Sequence, residues 1–263
     1  MDDIARYARQ IALPGLGTEG QRRLAGSRAV VVGCGALGGF ASMMLVRAGV
    51  GRVDVVDRDT PERTNLHRQV LYVEADVDAG TPKAVAAAGR LAEMNRDVRI
   101  TPVVAHVDGG NVAGIVRDAD VVVDGADNFA LRLAVNEACV RHGIPFVHGG
   151  ILGTVGQQFT ILPGRTACYE CLIGEEPAPG TAPTTVTHGV LSAIVAVVAG
   201  IQVAEAIKIL AGRTDDLRKT LLTIDLWANR WTEIRVARAT EGAGCPVCVQ
   251  RNFGRLAPDA PGT

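Results

Sequence analysis

The chain has 263 residues, 48% of them hydrophobic and 21% charged, enough to bury a sizeable core in one large domain or two small ones. Its 27 basic and 28 acidic side chains leave a formal charge of −1, which excludes a global field steering it to nucleic acid or an anionic membrane. Met1 to Arg6 lack a basic start and an apolar run, so no signal peptide is expected. Six cysteines in such a chain point to metal or packing roles in a soluble, cytoplasmic α/β protein rather than to disulfides.

In chain order, Arg6-Tyr7-Ala8-Arg9-Gln10-Ile11 opens an amphipathic arm running through Leu24. It reads either as a solvated helix packing Ile11 and Leu13 on the body, or as an arm whose arginines reach a phosphate here or on a neighbouring subunit. Ala29 to Val32 is the short β-branched run of a strand buried on both faces. Gly33-Cys34-Gly35-Ala36-Leu37-Gly38 follows, then a helical pattern to about Ala48. A second strand, Arg52 to Val56, ends in Asp57-Arg58-Asp59. A βαβ unit with a Gly-x-Gly-x-x-Gly turn and acids about 20 residues on is the layout that seats a nucleotide against a helix N-terminus. The same turn also serves close helix–strand packing, and it does not name the nucleotide.

The polar run Thr60 to Gln69 leaves the carboxyl end of that strand, the edge where open α/β sheets bind ligands. Asn65, Arg68 and Gln69 supply donors there, although such a run also serves as a solvated loop. Thr81-Pro82-Lys83 predicts N-cap, N1 and N2 of a helix to Met94. A lysine in a first turn opposes the helix dipole, a placement that a bound anion would offset. A third strand (98–104), a helix near 111–117 and a fourth strand (120–123) lead to Asp124-Gly125-Ala126-Asp127-Asn128. Two carboxylates three apart suit a Mg²⁺ carried by phosphates. Capping of the helix Phe129 to His142 by Asp127 or Asn128 is compatible with that role. A fifth strand, Ile144 to Gly149, completes the parallel part, with His142 and His148 structural.

Beyond Gly150 the pattern predicts antiparallel or edge strands over Gly153 to Leu162 and around Ala167. A Pro/Gly-rich mobile loop (174–187), a long apolar helix from Gly189 to Gly212, and strands Thr220 to Asp225 and Glu233 to Ala237 follow. The helix's uncharged part is shorter than a membrane span of 18 or more residues, so a core or subunit-interface helix is expected. Two Cys-x-x-Cys pairs, Cys168/Cys171 and Cys245/Cys248, can close a tetrahedral, structural Zn²⁺ site. A redox Cys-x-x-Cys is the rival, but it normally occurs singly at a helix start. Cys34 and Cys139 read as core, and residues 251–263 as a disordered tail. The expected fold class is α/β: a doubly wound, Rossmann-like, mostly parallel sheet with an antiparallel C-terminal extension and a four-cysteine zinc knuckle.

Together these motifs, from Arg6 to Cys248, resemble the ThiF/MoeB/HesA family, whose members are similar to ubiquitin-activating enzymes. The resemblance implies one adenylation domain over 1–250: a helical arm (1–27), a nucleotide-binding part (28–150) and a carrier-binding and zinc part (151–250). Arg6-Tyr7-x-Arg9-Gln10-Ile11 resembles the family's amino-terminal arginine motif, which implies a homodimer with Arg9 reaching the partner's site. Gly33, Gly35, Ala36 and Gly38 match its glycine turn, with Ala36 where many members have glycine. Asp57 and Asp59 resemble its ribose-binding pair, Asp59 being the contact. Asn65, Arg68 and Gln69 resemble its Asn-Leu-x-Arg-Gln signature, Lys83 its ATP-binding lysine, Asp127 and Asn128 its magnesium-side motif, and the four cysteines its zinc knuckle.

The implied activity is ATP-dependent adenylation of the C-terminal glycine of a small ubiquitin-like sulfur carrier protein ending in Gly-Gly. Where several members carry a crossover-loop cysteine this chain has Thr185, so the chemistry is expected to stop at the acyl-adenylate. Sulfur would then come from another protein, such as a cysteine desulfurase or a rhodanese; no rhodanese-like extension is expected after Cys248. The rivals are a nicotinamide-dependent oxidoreductase, a binding module without turnover, and a tRNA threonylcarbamoyladenosine dehydratase-like relative. The near-zero charge speaks against the last of these.

Overall fold

The arm is two helices rather than one. In the computed structural model, which describes residues 4–174, 176–178, 180–242 and 244–257, a 3-10 turn leads into α1 (Ala8–Ile11), and α2 (Gly17–Ala25) follows. Pro14 and Gly15 lie between them, where a helix cannot run on. The nucleotide-type unit is β1 (Arg28–Val32), α3 (Ala36–Ala48) and β2 (Arg52–Val56). Then come α4 (Glu74–Ala79), α5 (Lys83–Met94), β3 (Arg99–Val103), α6 (Val112–Val116), β4 (Val121–Asp124) and α7 (Phe129–His142). The C-terminal part holds β5 (Phe146–Leu152), β6 (Val155–Ile161), α8 (Tyr169–Ile173), α9 (Thr185–His188), α10 (Ser192–Leu210), β7 (Thr220–Asp225) and β8 (Arg230–Arg235).

All eight strands join one sheet in the order β3-β2-β1-β4-β5-β6-β7-β8. The first five run parallel, and β6, β7 and β8 add antiparallel at one side. Val30 to Val32, Val53, Val55, Val56 and Val121 to Val123 are essentially inaccessible, because both faces of a parallel sheet lie under helices. One face packs with α3, α5 and α10, the other with α6 and α7. The strand order reverses between β1 and β4. Loops leaving their carboxyl ends therefore diverge and open a crevice.

Helix α10 is long and apolar enough to cross a membrane by length and composition, yet half of it is buried within the chain. It packs on α3, β5 and β6, as a core helix does. No strand forms around Ala167; that segment leads into α8, whose N-cap is Cys168. The last strand, β8, starts three residues earlier than the sequence suggests, and all of it is exposed. The tail also departs from expectation. Leu256 is buried, Phe253 packs on the same cluster, and Arg255 is held by carboxylates; residues 258–263 lie outside the described part.

Candidate active site

Backbone crowding builds the floor of the crevice. Gly33 ends β1 with φ +88°, and a Cβ there would lie 2.4 Å from the Gly125 carbonyl oxygen. A Cβ on Gly38 would lie 1.8 Å from the Gly33 oxygen. Gly38 thus serves packing and does not line the cavity, whereas Gly33, Gly35 and Ala36 do. The turn is braced by Asp57: Cys34 N–H donates to one carboxylate oxygen at 2.8 Å and Asp59 N–H to the other at 2.8 Å. Burial raises the Asp57 carboxyl pKa despite these donors. Asp57 is spent on the loop. Asp59, with an exposed side chain held among the described residues only by ion pairs to Arg58 at 3.4 Å and Lys83 at 3.8 Å, can accept from a ligand.

Lys83 is the first residue of α5, and the N-cap is Pro82 rather than Thr81. Its N–H donates to the Asp59 carbonyl at 2.8 Å, and its Nζ, almost fully buried, stands 3.8 Å from Asp59 Oδ2. Arg68 lines the same wall, steadied by a 2.8 Å bond to the Thr64 carbonyl. Gln69 is buried and lines the cavity, and its Oε1 has no hydrogen-bond partner among the described residues. Asn65 is not in the lining. Its Oδ1 accepts the Glu62 N–H at 3.1 Å, so it caps the turn that carries Arg68.

The two carboxylates after β4 part company. Asp124 is buried and spent: Arg132 Nε donates to it at 2.9 Å, His148 Nδ1 lies 2.6 Å away, and Ala126 N–H donates at 2.9 Å. Burial would raise its pKa, but Arg132 and His148 outweigh that and hold it low. Burial keeps His148 below the usual histidine range despite Asp124, so the neutral ring donates from Nδ1 and accepts from Gln157 at Nε2. Asp127 is exposed on the cavity rim. Asn128 caps α7, accepting the Leu131 N–H at 2.8 Å, and donates to Asp127 Oδ1 at 3.1 Å.

The lining bounds about 1080 Å³, just above the range of roughly 300–1,000 Å³ for small-molecule sites. It joins Asp57, Asp59, Arg68, Gln69, Lys83, Asp127 and Asn128 to Gly150, Gln157 and the crossover residues Pro183 to Val186, Thr185 among them. Arg9 lies exposed on α1, outside the lining. Three lining arginines escaped the sequence reading: Arg58 between the two acids, Arg132 one turn beyond the α7 cap, and Arg255. Only the first two carry a local signal, Arg58 from its place between the acids and Arg132 from its helical spacing to Asn128.

Beside α7, on which α8 packs, the four cysteine sulfurs lie within 4.8 Å of one another. Cys168 and Cys245 are buried, Cys171 and Cys248 half-buried. Four converging thiols from two Cys-x-x-Cys turns fit a tetrahedral metal. The Cys168 thiol donates to Cys171, holding Cys171 well below the usual thiol range and pushing Cys168 up. Cys34 and Cys139 are core, their thiols pushed up by burial, that of Cys34 to about 12.

Comparison with known proteins agrees with this layout. The chain is 44% identical over 248 residues to the sulfur carrier protein ThiS adenylyltransferase of Bacillus subtilis, covering 94% of this chain and 72% of that protein. It is 44% identical over 245 residues to the SAMP-activating enzyme E1 of Haloferax volcanii, covering 93% and 88%. It is 41% identical to the sulfur carrier protein adenylyltransferase of Thermus thermophilus, covering 94% and 91%. Among solved structures, E. coli MccB with ATP superimposes with a TM-score of 0.79 at 25% identity, covering 94% of this chain and 75% of that one. The ThiF family profile matches residues 7–247, and the chain belongs to the ThiF family.

Proposed function

We propose that this chain is an ATP-dependent adenylyltransferase that activates the C-terminal glycine carboxylate of a small ubiquitin-like sulfur carrier protein. The carrying observation is that Asp59 and Arg68 from the β2–α4 connection, Lys83 from the start of α5 and Asp127 from the β4–α7 loop line one cavity at the carboxyl edge of the sheet. Relatives at 41–44% identity named as activators of such carriers support the reading.

The chemistry asked of these residues is charge management. The carboxylate attacks the α-phosphate of ATP; its oxygen–phosphorus bond forms as the bond to the β-phosphate bridging oxygen breaks, leaving acyl-AMP and pyrophosphate. Both reactants are anions, so the protein must align them and neutralise repulsion. Lys83 and Arg68 clamp the phosphates, joined by Arg9 from the partner if the chain is a homodimer through the exposed side of α10. Asp59 accepts from the ribose hydroxyls, with the glycine turn close enough for backbone contact. A carboxylate is already ionised at neutral pH, so no general base is needed.

Mg²⁺ bound with the triphosphate would supply further neutralisation; Asp127 is the acid that fits it, since Asp124 is spent on Arg132 and His148. Zn²⁺ in the four-cysteine knuckle would supply a cross-link between the chain's middle and its end. Residues 1–250 are taken as one adenylation domain, its sheet doubly wound, acting in the cytoplasm. With Thr185 on the cavity wall in place of a cysteine, the product is acyl-adenylate, and sulfur arrives from a separate donor protein for thiamine or molybdopterin biosynthesis. Pyrophosphate exchange into ATP, dependent on a carrier ending in Gly-Gly, is the test; no exchange with any such carrier sinks the reading.

A further inference from the structure

Arg255 lies beyond the stretch that matches the family, residues 7–247, yet it lines the cavity. Its segment leaves the cysteine cluster, lays Phe253 and Leu256 on the α7 side of the core, and reaches the loop after β3. There Ala257 N–H donates to the Gly109 carbonyl at 2.8 Å. The approach is so close that a Cβ on Gly109 would sit 1.7 Å from the Arg255 carbonyl oxygen. Ala105 to Gly109 line the cavity as well. On the adenylation reading, phosphates lie at the glycine turn and ribose at Asp59. The base therefore extends past β2 toward this loop.

The guanidinium of Arg255 is a hub. It donates to Glu137 on α7 at 2.9 Å, to Glu170 between the first cysteine pair at 3.2 Å, and to Glu176 of the crossover loop at 3.4 Å. Its own N–H donates to Glu137 at 2.9 Å. Glu137 is almost fully buried, and a carboxylate there needs such a partner. The cation is thus outnumbered by carboxylates and badly placed to receive phosphate. It is well placed to hold other groups.

We propose that residues 253–257 form the base-end wall of the nucleotide cavity, with Arg255 a positioning residue that ties this wall to the crossover loop through Glu176. The inference rests on the adenylation reading. ATP affinity is measured calorimetrically on the full-length protein, and hydrogen exchange is followed in 105–111 and 180–188. Arg255→Ala weakens ATP binding about tenfold or more, the scale of lost charged hydrogen bonds, and speeds exchange in both segments. Arg255→Lys recovers part of both. Glu176→Gln speeds exchange in 180–188 alone and leaves ATP affinity within about twofold. Because Arg255→Ala strands Glu137 and can cost the fold, Gly109→Ala is the second probe: its methyl meets the strap, not the cavity, and weakens ATP binding likewise. If the parent protein binds ATP and the folded Arg255→Ala or Gly109→Ala proteins bind it equally well, the wall is overturned while the adenylation reading stands. A parent protein that binds no ATP ends both.

Discussion

Lys83 Nζ stands 3.8 Å from Asp59 Oδ2, and the N–H of the same lysine donates to the carbonyl of the same aspartate at 2.8 Å. The double tether fixes a nearly buried cation beside the carboxylate assigned to the ribose. A cation so placed is desolvated before any phosphate arrives, which strengthens its pull on an anion. Lys83→Ala should slow pyrophosphate exchange by about 10²-fold, the scale of one preorganised charge contact. Its melting temperature should change little beside that loss. Exchange within a few-fold of the parent would remove Lys83 from the reaction.

Asp127 and Asp124 should separate cleanly. Asp127 is exposed, so Asp127→Ala should abolish exchange while thermal unfolding stays as in the parent. Asp124→Ala strands Arg132 and should cost about 3–5 kcal/mol of stability, as for breaking a buried ion pair. Chemical denaturation of both variants checks this; equal losses of stability would contradict the split.

His148 makes stability pH-dependent. Its folded pKa is held below the ordinary value of 6.5 by burial, so between the two values the unfolded chain binds the proton and the folded one does not. Stability is then full above about 6.5 and falls as pH drops below it. His142, also lowered by burial, adds a contribution of the same sign. His148→Gln should flatten the fall in melting temperature expected of the parent as pH drops below about 6.5. An unchanged slope would show that His148 titrates normally.

Metal removal should act on the fold. The first cysteine pair reaches the cavity side through Tyr169, whose ring meets that of His148 with centroids 4.8 Å apart, and through Glu170, which accepts from Arg255 of the lining. Chelation, or Cys168→Ser, should lower the melting temperature and release about one zinc per chain, since such sites contribute folding energy. An apo protein that melts like the parent but has lost exchange would contradict a structural site.

The sequence by itself determined what depends on neighbours along the chain. A β-branched run, a glycine turn and a helix pattern within some twenty residues specify the first βαβ unit, because period and turn chemistry act locally. The spacing within each Cys-x-x-Cys is likewise local, and Lys83 betrayed itself by opposing a dipole at its own helix start. Only the tertiary structure decided which of two similar side chains is already engaged within the protein and which faces the cavity. Asp124 is silenced by His148 from β5 and Arg132 from α7, Asp57 by the glycine turn of another element, and Asn65 by its own capping bond. Arg255 comes to the cavity only because the chain's end folds back over Gly109. Desolvation and long-range pairing set these roles, and both are properties of what surrounds a residue in space, which its position in the sequence does not carry.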